Sequence, residues 1–270
     1  MAISKINSLA LASVAKVNSL VKASMAKINS LVNVLFTDDK SFDFDGTNDY
    51  LDFASGNMSG DLETNGSVSM WVKLDSMSAN GFLFQLQAEE GTDDQIILLW
   101  NNASGVIRGN VKFGGTANTV DSGAGLENDG NWHHVVFTWF SGDTRTAANN
   151  ITRLYIDGSE TNNDAIGNTW GSDSEPAFTV LGRNNIQSNA YWNGHMNDIA
   201  IFSDTLTSGE VTAIYNEGVP KDESDHSGLH AYYTMEAYTD GDTTVADDSG
   251  NSRDLRINNS TNIDLSLIHI

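Results

Sequence analysis

The spacing of apolar side chains changes once along the chain. In residues 1–33, Ile3, Ile6, Ala10, Val14, Val17, Val21, Met25, Ile28 and Val32 advance by steps of three and four, the period of a helix. From Ser41 the period becomes two. Phe42-Asp43-Phe44-Asp45 alternates, Gly46-Thr47-Asn48-Asp49 supplies a turn, and Tyr50-Leu51-Asp52-Phe53 resumes the alternation, which predicts a hairpin. Similar runs predict strands over 68–74, 81–87, 95–100, 106–113, 133–140, 153–157, 177–181 and 198–202. So many short strands separated by turn residues imply a sandwich or barrel. Trp71, Val72, Leu74, Val135, Phe137 and Trp139 are candidates for its packed faces. Asp157-Gly158 predicts a second hairpin turn, with positive φ. Thr207 followed by Glu210 predicts an N-capped helix closing at Tyr215.

The helical stretch is a repeat. Residues 1–33 divide into MAISKINSLAL, ASVAKVNSLVK and ASMAKINSLVN, which align Lys5 with Lys16 and Lys27 and Leu9 with Leu20 and Leu31. An eleven-residue period is about 3.67 residues per turn and suits a nearly straight helix. The recurring Asn-Ser pairs equally fit a zigzag of short helices, with Ser13 and Ser24 as N-caps and Asn18 and Asn29 as left-handed ends. Either form leaves an apolar stripe that the segment cannot bury alone. Ile6, Val17 and Ile28 are therefore expected to make an assembly contact, against the chain's own sandwich, against copies in a homo-oligomer, or against other proteins.

Charge separates the same two parts. Four lysines and no acid fall in residues 1–36, so the remainder carries −26 against the total of −22. An acidic body repels phosphate, so nucleic acid is not an expected partner. No run of about 18 apolar residues exists, so membrane insertion is not expected. The absence of Cys removes thiolate chemistry and disulfides from consideration.

The motifs add a resemblance. Phe42–Leu51 (FDFDGTNDYL), Ser69–Lys73 (SMWVK), Asn131–Thr138 (NWHHVVFT), Leu154–Gly158 (LYIDG), Trp192–Phe202 (WNGHMNDIAIF) and Leu206–Tyr215 (LTSGEVTAIY) follow one another in an order and spacing that resemble the laminin-G-like and concanavalin-A-like lectin/glucanase domains. This resemblance implies an all-β, antiparallel jelly-roll β-sandwich. Gly228–Met235 and Asp247–Asn251 resemble a block that begins the domain in many relatives. Here it comes last, either as the terminal strands of the same sandwich or as the opening of a second domain. About 40 residues are too few for an independent core, so one sandwich over residues 36–270 is expected, with residues 1–35 as a helical anchor. The N-terminal repeat resembles repeats near the starts of tailed-phage virion proteins. That implies a virion location, with an extracellular bacterial carbohydrate-binding module as the alternative.

Candidate chemistry follows from these readings. The E-x-D-x-x-E run of laminarinase-type glucanases is absent, so a glycoside hydrolase is the least favoured reading and no catalytic residue is assigned. Glycan binding needs an aromatic face beside polar side chains, and Trp100, Trp170, Tyr191 and Trp192 sit among Asn, Ser and Gly; the alternative for each is core packing, and the resemblance implies a core aromatic at the Trp192 position. Ca²⁺ is the metal of choice for oxygen-rich turns, here Asp247-Asp248-Ser249-Gly250-Asn251 and Asp45, Asn48 and Asp49. Asp and Asn also cap such turns without any ion. His133 and His134 fall on opposite faces of their strand, and one is expected in the core. His226 and His230 flank Gly228, which argues against a helical zinc pair.

Overall fold

A computed structural model describes residues 40–53, 58, 62–88, 94–123, 129–142, 150–169, 176–185, 190–239, 241–258 and 264–267. The chain divides into two units, Met1–Thr37 and Asp38–Ile270. The helical repeat and its Ile6, Val17 and Ile28 lie outside the described residues, as does Trp170.

The described residues of the second unit form two eight-stranded antiparallel sheets. In spatial order the first holds β10 (Ser159–Ala165), β9 (Ile151–Ile156), β8 (His133–Phe140), β3 (Asn65–Leu74), β12 (Asn193–Phe202), β1 (Lys40–Asp45) and β16 (Asp264–Leu267), with β13 (Leu229–Tyr233) beside β12. The second holds β14 (Thr244–Val245), β15 (Leu255–Asn258), β2 (Tyr50–Phe53), β11 (Pro176–Leu181), β4 (Gly81–Ala88), β5 (Gln95–Asn101), β6 (Val106–Phe113) and β7 (Thr116–Asp121). Alternate residues of each sheet enter one shared core: Phe42, Phe44, Met70, Phe137, Trp139 and Met196 from the first, and Phe84, Leu98, Val111 and Phe113 from the second. Removing such side chains from water is the main stabilising term.

One predicted pairing is wrong. β1 and β2 do not form a hairpin. β1 pairs with β12 and β16, and β2 pairs with β11 and β15, in opposite sheets. The four residues between them make a corner. Asp45 Oδ1 accepts from the N–H groups of Thr47 and Asn48, and Asp49 Oδ2 accepts from the Asp45 N–H. Period-two alternation reports which face is buried but not which sheet a strand joins, and Phe42 and Leu51 reach the same core from opposite sides. The Asp157-Gly158 turn does join a hairpin, β9 to β10, with φ of 49° and 75°.

The C-terminal strands complete both sheets. One edge of β12 is divided at the irregular stretch between Asn197 and Ala200. β1 pairs with Asn193–Met196, and β13 with Ile199–Phe202. At the division Asp198 takes a φ of 49°, and its carboxylate accepts a short hydrogen bond from the Tyr232 hydroxyl. β15 adds to β2, and β16 to β1.

Among the described residues one α-helix, α1 (Ser208–Tyr215), packs on the outer face of the first sheet. Its N-cap is Thr207, whose hydroxyl oxygen accepts from the Glu210 N–H while Glu210 accepts from the Thr207 N–H. Tyr215 stacks on Trp71 and His134. Trp71 is thus buried on the outer face beneath a helix, rather than in the core between the sheets. No described helix is long and apolar enough to cross a membrane.

Candidate functional site

The outer face of the first sheet carries a cleft where β8 and β9 meet the segment leading into α1. Phe140, Ile151, Arg153 and Tyr155 project from the strands, and Thr205–Ser208 form the opposite wall around a hollow of about 400 Å³. A second hollow of about 340 Å³ continues past Phe140, bordered by Asn65, Asp204, Glu210 and His226. Half-buried Phe140 belongs to both. Strand register sets its flanks, because Asn65 of β3 and Ile151 of β9 are its Cα partners. Asn65 is held by donating to the Ser203 carbonyl at 2.5 Å and accepting from the Thr64 hydroxyl at 2.9 Å. Arg153 is held against Glu160 at 3.2 Å. The arrangement offers an apolar ring between fixed amide, guanidinium and carboxylate groups on rigid strands.

Two of the cleft's carboxylates, Glu160 and Glu210, are held in local pairs. Glu160 pairs with Arg153. Glu210 is held below the ordinary carboxylate range, first by the Thr207 N–H and then by the Thr207 hydroxyl. A glycosidase acid needs the opposite, a carboxyl raised so that it keeps its proton.

A second cluster lies on the same sheet face, towards its β1 edge. Asp43 of β1 and His195 of β12 are Cα partners, and Lys73 of β3 is the partner of His195 on its other side. His195 Nδ1 stands 4.0 Å from Asp43 Oδ1, and Nε2 stands 3.7 Å from Asp75 Oδ1. The half-buried Trp132 ring packs against the imidazole at 5.9 Å.

The two histidines of β8 behave differently. His134 is buried, shares a 2.8 Å hydrogen bond with Ser69 Oγ, and is lowered to about 4 by burial. His133 lies between Asp157 at 2.9 Å and Asp129 at 3.1 Å, and the hydrogen bond to Asp157 does most to raise its pKa. His230 is buried, and His226 packs edge-on against Phe202.

The residues singled out as glycan platforms fall mostly in the interior. Trp192 and Trp100 belong to the core cluster, so neither presents a ring face, and the expectation of exposed platforms is corrected for both. Trp100 occupies an inward position of β5, and Trp192 lies just ahead of β12, where its backbone N–H donates to the Gly182 carbonyl at 2.8 Å. Tyr191 is half-buried. The carboxylates of the oxygen-rich turns accept backbone hydrogen bonds. Asp247 Oδ1 accepts from Tyr232 N and Ser249 N, its Oδ2 from Arg253 N, and Asp248 Oδ2 from Thr234 N and Oγ1. This turn therefore seals the outer edge of β13. Phe140 and Arg153 were not among the sequence candidates. A partial clue was present, since Phe140 ends an apolar strand just before Ser141, but its partners come from distant segments.

A family model for laminin-G-type domains, described as the concanavalin A-like lectin/glucanases superfamily, matches residues 45–212. No curated protein matches the chain. Among solved structures, a Bacteroides ovatus protein described as a candidate carbohydrate binding protein is similar at 17% identity and a TM-score of 0.59, over 87% of this chain and 61% of that one. The chain thus spans about three-fifths of that protein's length. A heptameric SAP-like pentraxin of Limulus polyphemus is similar at 16% identity and a TM-score of 0.49, over 67% of this chain and 84% of that one. The CBM40 of a Ruminococcus gnavus IT-sialidase, bound to α2,3 sialyllactose, is similar at 15% identity and a TM-score of 0.46, over 60% and 95%.

Proposed function

Since the chain belongs to the concanavalin A-like lectin/glucanase superfamily, we propose that it is a non-catalytic carbohydrate-binding protein whose sugar site is the Phe140 cleft. The observation that carries the reading is the placement of Phe140 between two adjoining hollows walled by Asn65, Arg153, Glu160 and Asp204. A pyranose has an apolar C–H face and a polar rim. An aromatic ring flanked by fixed hydrogen-bonding groups is complementary to both. Neutral sugars are the expected class, because Arg153 is already paired and the body is strongly acidic. The commitment of Glu160 and Glu210 supports binding without hydrolysis.

The N-terminal repeat makes the proposal more specific. Its likeness to repeats of tailed-phage virion proteins supports a capsid-decorating, fibre or tail adhesion protein, attached through residues 1–33 and displaying the sandwich outward. The Bacteroides ovatus neighbour favours a second reading, a secreted bacterial carbohydrate-binding module. Mass spectrometry of purified phage particles against secreted fractions separates the two.

The binding proposal is tested on an array of neutral and acidic glycans with the full chain. Saturable binding to a neutral glycan is expected, weakened at least tenfold in Phe140→Ala. Failure of every glycan to bind, or full binding by Phe140→Ala, counts against it.

A further inference from the structure

We infer that Asp43, Asp75 and His195 form a binding site for a divalent transition-metal ion of the Zn²⁺ class. It is separate from the sugar cleft, and nothing in it depends on the sugar reading. The three ligands come from three neighbouring segments. Asp43 and His195 face each other across the β1–β12 ladder. Asp75 follows β3 and is fixed by its own N–H, which donates to the Asn193 carbonyl at 3.3 Å.

One ligand atom from each residue lies within 4.8 Å of the other two. The carboxylate–imidazole approaches of 3.7 and 4.0 Å exceed hydrogen-bond length. They use different ring nitrogens, and one ion takes only one of these, so the spacing that matters is the mutual 4.8 Å, against roughly 3.3 Å between ligands around an ion bonded at about 2.0–2.1 Å in tetrahedral geometry. Closure thus needs side-chain adjustments on the order of 1–2 Å.

The surroundings suit an open metal site. The His195 side chain is 13% exposed, with Trp132 against its ring, while Asp43 and Asp75 are 40% and 45% exposed. The imidazole side is walled and the carboxylate side admits an ion and water. An imidazole with two carboxylates suits Zn²⁺, Mn²⁺ or Ni²⁺, whereas Ca²⁺ prefers oxygen ligands alone. Lys73, opposite His195 in register, is a positive group on the same face that opposes the ion. Removing it should tighten binding.

The experiment is calorimetric titration of Zn²⁺ into the full chain in chelator-free buffer near neutral pH. One ion per chain is expected. Affinity should fall at least tenfold in His195→Gln and in Asp75→Asn, and rise in Lys73→Met. Ca²⁺ should not compete. Asp75→Asn alters an exposed side chain, so its effect is readable even if His195→Gln folds poorly, and the metal-free melting temperature of each variant reports folding. No Zn²⁺ binding up to about 1 mM, or binding that Asp75→Asn leaves unchanged, overturns the site. Because the readout is metal and not sugar, either site can fail alone.

Discussion

Replacing Asp49 by Asn should stabilise this protein at neutral pH and leave it nearly unchanged near pH 4. Asp49 is buried at the corner between β1 and β2, and its pKa is raised from 3.8 to about 6. Burial is the main cause; the Asp45 N–H bond opposes it, and the charges of Asp45 and Asp43 add to it. A carboxyl raised in the fold keeps a proton that the unfolded chain releases. Stability is therefore lost as pH rises from about 4 to 6, and the full cost is present above about 7. A rise from 3.8 to about 6 corresponds to about 3 kcal/mol. That is a ceiling, because exposed Thr47 and Asn48 open the corner to water, and about 1–2 kcal/mol is the expected effect. Asn keeps an oxygen for the Asp45 N–H and carries no charge. Over a body of this size the gain is roughly 2–8 °C in Tm. Calorimetric melting of both proteins from pH 4 to pH 8 checks it. A difference that is absent at pH 7.5, or the same at pH 4, refutes the reasoning. Repeating the scan with Ca²⁺ tests the alternative use of this corner: stabilisation of wild type that Asp49→Asn abolishes would make it an ion site instead of a capped turn.

Three further outcomes are expected. Gly109→Ala should lower stability by about 1–3 kcal/mol in a urea melt, because a Cβ there runs into the Phe137 ring. Deleting residues 228–270 should give an aggregating protein by light scattering. It strips β13, β15 and β16 from their neighbours and leaves open strand edges; a monomer with unchanged Tm would contradict this. A chain starting at Val34, or Val17→Asp in the full chain, should lose oligomer mass and particle incorporation, since a charge in an apolar contact is costly; equal assembly would show that the repeat is not the anchor.

Much of the fold was legible because buried strands announce themselves. Val135, Phe137 and Trp139 alternate inward, and the Asp157-Gly158 and Thr207–Glu210 signals depend on local chemistry alone. What escaped notice had no local signal. β7 (TANTVD) and β10 (SETNNDA) are polar edge strands, held by ladders and side-chain bridges such as Asn118 Nδ2 to the Ala165 carbonyl at 2.7 Å. The β1–β2 corner looked like a hairpin because alternation cannot name a sheet. Trp100 and Trp192 were platform candidates because their neighbours are polar, but both side chains turn into the core. The cleft joins Asn65, Phe140, Arg153 and Asp204 from four separate segments, and only the strand register brings them together.

The most direct test of a non-catalytic sugar site is a crystal structure of the protein with the oligosaccharide that binds best on the array. An intact sugar is expected, with one ring face against Phe140 and hydroxyls within hydrogen-bond distance of Asn65 or Arg153. A sugar bound elsewhere with this cleft empty, or one cleaved in the cleft, would contradict it.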